Sequence, residues 1–537
     1  MFRPQTANRS GVDSAMARLA RAFAALGAAA AAHGACLAGS CQMEPPVDDA
    51  AALLQMGREK GRGLGNSDVL TYLRALVRTP DGSPNPRITC TPGNKVARDY
   101  LVTTLKSLDV EPLGEEGGYE QVIPGTLEVE GCEEGIANVI GVVRGAKNSD
   151  EYVVVAAHLD GPNNQGEFQD EIGNQDTDNA YDDGGAVSVL LSMAKEFIAN
   201  PPELSVVFFF SSAEEGFSNI GVGSSNPVRA RICEATDSLW AELGASCRVD
   251  GQFPVGSYAF AINPTFDMSK VRIFVGLDPL GAPGIRGSDL MAVIGSEVFA
   301  GLRDLVEGSL APSKGKVFPA YIARATVGNN YGDLDPWVRK GTPAIWIAQP
   351  GFQAYHGGME YESLQPLLEK AGISEAFWAL DRQCSLDLRA LVKVAAVLTD
   401  MVRNLATDDG TSRPTMRAVT SFALSDAEDA VANYQFAIEG LRKGSGVTGI
   451  SAEDTTRMQG LLQQLQQGAQ QCIEGSAGGP TAPLGEACQG VQSPVALTAA
   501  AIMALDLVSS RLGEQGIVGE EPSLPIKCPL RRPGAGR

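Results

Sequence analysis

The sequence predicts an α/β fold: a mostly parallel mixed sheet flanked by helices, with a helical appendage at the C-terminal end. Three observations carry that expectation. The segments "EYVVVAAHLD" and "LSVVFFF" are almost wholly apolar, as strands covered on both faces are. Between them, Val187, Leu190, Leu191, Ala194, Phe197 and Ile198 mark one face of a helix, which completes a strand–helix–strand unit and calls for parallel pairing. The composition, 44% hydrophobic and 20% charged over 537 residues, supplies a large core.

Residues 1–41 read as an export signal, because Arg18 and Arg21 precede the small, apolar run "AFAALGAAAAAHGACLAGSC". Its ending is close to a lipoprotein cleavage box with Cys41 as the lipidated residue. The expected locations are therefore extracellular, periplasmic or lipid-anchored to the envelope. The run is too short and alanine-rich to read as a membrane span. A polar lead-in, 42–66, precedes the main domain, 67–407. There "DVLTYLRALV" and "KVARDYLVTTLKSL" have helical spacing, "IANVIGVVRG" joins the strands, and "LDLRALVKVAAVLTDMVRNLA" closes the domain as a helix. A linker at 408–418 leads to the appendage, 419–537, with helices expected near 419–443, 452–474 and 494–515.

A formal net charge of −21 argues against nucleic acid or an anionic membrane as partner. Beyond Cys41 lie eight cysteines, none in a CxxC spacing, so disulfides are expected in an exported chain. Eight cysteines allow 105 pairings. Proximity favours Cys233–Cys247 and Cys472–Cys488, and a bridge from Cys384 to Cys528 in the tail would leave Cys90 to pair with Cys132.

Histidine is scarce: of three, one lies in the signal, leaving His158 and His356. His158 ends a buried strand, where open α/β sheets bind ligands, and Asp160 follows within reach of its ring. Asp182 and Asp183 precede the next helix, Glu214 and Glu215 follow the next strand, and Asp278 follows a third. Each has a bland reading when taken alone: a structural His-x-Asp, a helix N-cap, a solvated acidic loop. Together they put histidine and carboxylates on one sheet edge. That donor set suits zinc, and carboxylates can bridge two ions.

The ordered motifs "AHLD", "YDDGGA", "AEEG", "LDPLG", "DLDPWVRKGTPA" and "YHG", preceded by "TPGNKVARDYL", resemble the aminopeptidase Y and bacterial leucyl aminopeptidase family, which also includes glutamate carboxypeptidases and glutaminyl cyclases. The resemblance spans roughly 67–406. It implies two zinc ions, one held by His158, Asp182 and Asp278, the other by His356, Asp182 and Glu215, with Asp182 bridging. It makes Glu214 the general base and Asp160 the partner of the His158 ring. The implied activity is hydrolysis of peptides at a chain end, most simply an aminopeptidase. Glutaminyl-peptide cyclisation on the same fold, and a binding relative without activity, remain as alternatives. The chain departs from the family at Leu334, where His is common, at Gly357 and Gly358 after His356, and in about forty residues inserted after Glu215. Tyr331 is the nearest candidate for an oxyanion donor. The acids Asp170, Glu171, Asp176 and Asp178 in the loop 160–182 are candidate calcium ligands, with a solvated charge run as the alternative.

Overall fold

The computed structural model describes residues 66–349 except 80–81, 162–178, 282–289, 314–315 and 323–331; between 216 and 253 it describes only 230, 233, 234 and 241. Beyond 349 it describes 388–408, 410, 413–416, 431 and 452–475. The signal and lead-in, Tyr331, His356, the proposed calcium ligands, and the pairings of Cys247, Cys384, Cys488 and Cys528 lie outside the described residues.

Helix α1 (Asn66–Leu76) is followed by α2 (Pro92–Ser107), whose start is written locally: the Thr91 hydroxyl accepts from Asn94 N, and Pro92 opens the first turn. Strands β1 (Glu111–Pro112), β2 (Glu120–Val122) and β3 (Ala137–Val143) precede β4 (Asn148–His158), α3 (Gly185–Ala199) and β5 (Leu204–Ser211). Next come α4 (Val255–Ile262), β6 (Val271–Leu277), β7 (Leu290–Ile294), β8 (Phe299–Ala300), α5 (Leu302–Leu310) and β9 (Phe318–Ile322). Then follow α6 (Leu334–Arg339), β10 (Ala344–Ala348), α7 (Leu388–Leu405), β11 (Thr415–Met416) and α8 (Ala452–Gly475).

The large sheet runs β1–β3–β5–β4–β6–β10–β7–β9, with β2 also paired to β3. Its centre, β5–β4–β6–β10, is parallel, while β3–β5 and β10–β7 are antiparallel. The mixed, centrally parallel sheet expected from the sequence is therefore present. From Tyr152 onward β4 is buried without interruption, because α3 and α7 lie on the sheet and neighbouring strands flank it on both sides. Trp337 of α6 is fully buried and stacks on Phe260 and Phe274, with ring centroids 5.0 and 4.6 Å away. Phe209 meets it edge-on at 5.8 Å, and each such pair is worth about 0.5–1.5 kcal/mol beyond its burial.

Within the expected linker, Thr415 and Met416 pair antiparallel with Ala300 and Phe299, and Arg413 donates to the carbonyls of Ser269 and Gly341. This stretch is thus bound to the α/β domain. Of the three appendage helices expected, the middle one is described, as α8. Among the described residues no helix is long and apolar enough to cross a membrane.

Candidate metal centre

Parallel pairing puts the C-terminal ends of β4, β5 and β6 side by side, so residues far apart in sequence arrive at one edge. His158 is the last residue of β4 and pairs with Ser211, the last of β5. Asp278 directly follows β6, its N–H donating to Ile347 O and its carbonyl accepting the Trp346 indole N–H. Asp182 and Asp183 lie in the turn Ala180–Gly184 between β4 and α3. Neither caps that helix: the N-cap is Gly184, with no side-chain hydrogen bond, so the N-cap reading of the pair fails.

His158 Nε2 lies 2.8 Å from Asp182 Oδ1 and 3.5 Å from Asp278 Oδ1. One donor atom each from His158, Asp182 and Glu215 lie within 4.8 Å of one another, and so do donors from His158, Asp183 and Asp278. Four of the five ligands expected from the sequence are thereby brought together; His356 is the fifth. Asp183 was not among them. Its Oδ2 accepts the backbone N–H of His158 at 3.2 Å, and among the described residues its buried Oδ1 has no hydrogen-bond partner.

Asp160 lies beside the His158 ring and also reaches the neighbouring strand end. The His158 ring is met at Nδ1 by the Asp160 backbone carbonyl, 3.0 Å away, while the carboxylate lies at 3.7 Å. The fully buried carboxylate also accepts from Glu214 N at 3.0 Å, Glu215 N at 3.3 Å and Thr89 Oγ1 at 3.2 Å. It therefore sets the backbone from which both glutamates project. The same turn is fixed from behind. Asn138 Oδ1 accepts Ser212 N, and the start of α4 donates from Val255 N and Gly256 N to the Ala213 and Ser212 carbonyls. Ala213 sits in the left-handed region, at φ +54°, a costly conformation for a non-glycine residue beside a functional group.

Asp333 is a further buried acid beside this site, accepting from Ser257 Oγ at 2.6 Å and from Ser211 Oγ. Glu214 Oε1 is 3.8 Å from where a side chain on neighbouring Gly332 would begin. Nothing in the spacing of Ser211, Ser257 and Asp333 announces this cluster, since it forms only when β5, α4 and α6 pack together.

Without a cation these groups oppose one another. Burial works against a charged His158 ring, yet Asp182 and Asp278 outweigh it and hold its pKa well above the ordinary value. Burial, reinforced by neighbouring carboxylates, pushes Asp183, Glu214 and Glu215 well up, and burial raises Asp333 to about 6. A dication among them would reverse this balance, favouring neutral imidazole and ionised carboxylates. One imidazole nitrogen with several buried carboxylate oxygens is also a zinc donor set. His158 Nε2, close to two carboxylates but without hydrogen-bond geometry, fits a ligand turned toward a shared ion. The residues present fit zinc.

Residues 138–360 match the model of Peptidase family M28. Among solved structures, the chain is similar to a Zn-dependent exopeptidase from Parabacteroides distasonis: 17% identity, 64% of this chain and 99% of that one covered, TM-score 0.44. It is similar to a leucine aminopeptidase precursor from Bacteroides thetaiotaomicron, with 16% identity, coverage of 64% and 98%, and TM-score 0.42. A glutaminyl cyclase from Porphyromonas gingivalis shows 18% identity, coverage of 63% and 97%, and TM-score 0.41. No curated protein matches the chain.

Proposed function

We propose, from the premise that residues 138–360 belong to peptidase family M28, that this zinc metallopeptidase is an exported exopeptidase acting as an aminopeptidase on peptides. One observation carries the reading: His158, Asp182, Glu215 and Asp278 converge at the end of three adjacent parallel strands, with Glu214 directly beside them.

His158, Asp182 and Asp278 would hold one ion, and Asp182 and Glu215 a second, together with His356. Bound zinc supplies Lewis acidity toward a carbonyl and makes water a usable nucleophile near neutral pH. The protein's own groups do the rest. Asp160 accepts the N–H of Glu214 and Glu215, and thereby fixes the backbone from which Glu215 would hold metal and Glu214 would act beside it. Burial raises the affinity of the Glu214 carboxyl for a proton, which suits a group that takes a proton from attacking water and delivers it to the departing amine. The Asp160 carbonyl holds Nδ1 of His158, which fixes the ring orientation and leaves Nε2 for the ion.

The test is a panel of aminoacyl and peptide substrates, with products identified, assayed untreated, after chelation, and with zinc restored. Release of N-terminal residues that stops on chelation and returns with zinc is expected. Release from the C-terminus, or cyclised N-terminal glutamine as the product, would overturn the aminopeptidase assignment. A rate indifferent to chelation would overturn the metal assignment.

A further inference from the structure

Upstream of the sheet, the segment "NPRITCTPGN" contains a side chain whose position the peptidase motifs do not explain. Arg87 is completely buried. Its Nε donates to Leu159 O at 2.9 Å, its Nη2 to Asn179 O at 2.7 Å, and its Nη1 to Asn85 O at 3.3 Å. Leu159 directly follows His158, and Asn179 lies three residues before Asp182. One guanidinium therefore fastens the backbone of both segments that carry the expected ligand atoms His158 Nε2 and Asp182 Oδ1.

The surroundings show how closely these segments are held. Asn179 Nδ2 donates back to Pro86 O at 3.0 Å. A side chain on Gly161 would begin 2.2 Å from Asn179 Nδ2 and 2.6 Å from Pro86 O, so glycine is what lets the three strands of chain meet. Arg87 itself has φ +55°, a left-handed conformation locked by Asn94 Nδ2 donating to Arg87 O at 3.0 Å. Two residues on, Thr89 donates to Asp160, and the next residue, Cys90, is bridged to Cys132 with Cα atoms 4.4 Å apart. Buried charge, unusual backbone and covalent anchor thus coincide in one short segment.

We propose that residues 85–90 form a positioning strap for the metal centre, in which Arg87 sets the spacing between the His158 and Asp182 segments and Thr89 sets Asp160. The proposal rests on the zinc peptidase reading. Arg87 and Thr89 act through Leu159, Asn179 and Asp160, and support of this kind commonly governs metal affinity by 10–100-fold. Lysine cannot replace the arginine, because a point charge cannot serve carbonyls lying in different directions as a planar fork does.

Zinc affinity decides it, measured on the full chain by competition with a chromogenic chelator well below the melting temperature, alongside melting of the zinc-free protein. Arg87→Lys should weaken zinc about 10–100-fold, and Thr89→Val, which keeps shape and removes only the hydroxyl, roughly threefold or more. Activity of both should recover in excess zinc. A merely structural role would lower zinc-free melting and leave affinity in the folded protein unchanged, and that result overturns the proposal. If Arg87→Lys does not fold, Thr89→Val decides by the same criterion. A wild type that binds zinc, with folded variants equal to it, overturns the strap alone. A wild type that binds none overturns the peptidase reading and the strap with it.

Discussion

The Asp160 carboxylate accepts the backbone N–H of Glu214 at 3.0 Å, so an acid at the end of one central strand aims the acid at the end of its neighbour. Asparagine at 160 offers one oxygen where two backbone donors now bind, and would turn its own N–H₂ toward one of them. Asp160→Asn should lower kcat by about 10–100-fold with the fold retained. A variant that turns over at the wild-type rate would show that the two glutamates need no such support.

The adjacent glutamates should separate by function. Glu214→Gln is expected to keep its zinc and lose ~10²-fold or more in turnover, the usual scale for a positioned acid–base group. Glu215→Gln should instead lose metal, since Glu215 shares a donor cluster with His158 and Asp182. Metal analysis and single-turnover rates on the pair check this division. Loss of zinc from both variants would contradict it.

Gly256 supports the same turn by having no side chain. A Cβ there would stand 2.1 Å from Asn138 Oδ1 and 2.5 Å from the Ser212 carbonyl, closer than such atoms can approach. Gly256→Ala should therefore destabilise by about 1–3 kcal/mol, as overpacked cores do, and displace Glu214 as well. Thermal melting and kcat should fall together, and an alanine variant that melts and turns over like wild type would refute the close approach.

Asp333 contributes to the pH dependence of the zinc-free protein. Its pKa, about 6 in the fold against 3.8 for the free side chain, means that the folded protein holds a proton the unfolded chain has released. That stabilisation is complete below about 4 and is lost as the pH rises through about 6. In chelator, melting temperature should fall across this window, and Asp333→Asn should reduce the fall. The zinc-loaded protein should move oppositely, because protons compete with the metal for its ligands. Identical profiles for wild type and Asp333→Asn in chelator would remove Asp333 from the account.

Much of this was legible in the sequence, for identifiable reasons. The apolar runs gave β5 to within one residue and the buried part of β4, because a strand buried on both faces has no room for polar side chains; the polar start of β4, before Glu151, fell outside the run. The periodic face from Val187 gave α3. The meeting of His158 with the acid pairs at 182–183 and 214–215 and with Asp278 could be expected because parallel strands deliver their C-terminal ends to one edge, while the choice within each pair came from the family resemblance. The rest depends on long-range contacts. That the Asp160 carboxylate also serves two backbone N–H groups follows from how β4 and β5 lie together. Arg87 went unremarked in the sequence, since carbonyls 72 and 92 residues away give no signal in its neighbourhood. Residues 415–416 read as linker because two residues of edge pairing leave no pattern.

The most direct measurement is the zinc content and turnover of wild type beside Asp182→Asn, each after chelation and dialysis against a slight excess of zinc. Asp182 Oδ1 lies 2.8 Å from His158 Nε2, Asp182 shares a donor cluster with His158 and Glu215, and it is proposed to serve both ions. Two zinc ions per wild-type chain with peptide turnover, and loss of metal and turnover together in Asp182→Asn, are the expected results. Two tightly held ions and undiminished turnover in Asp182→Asn would contradict the account.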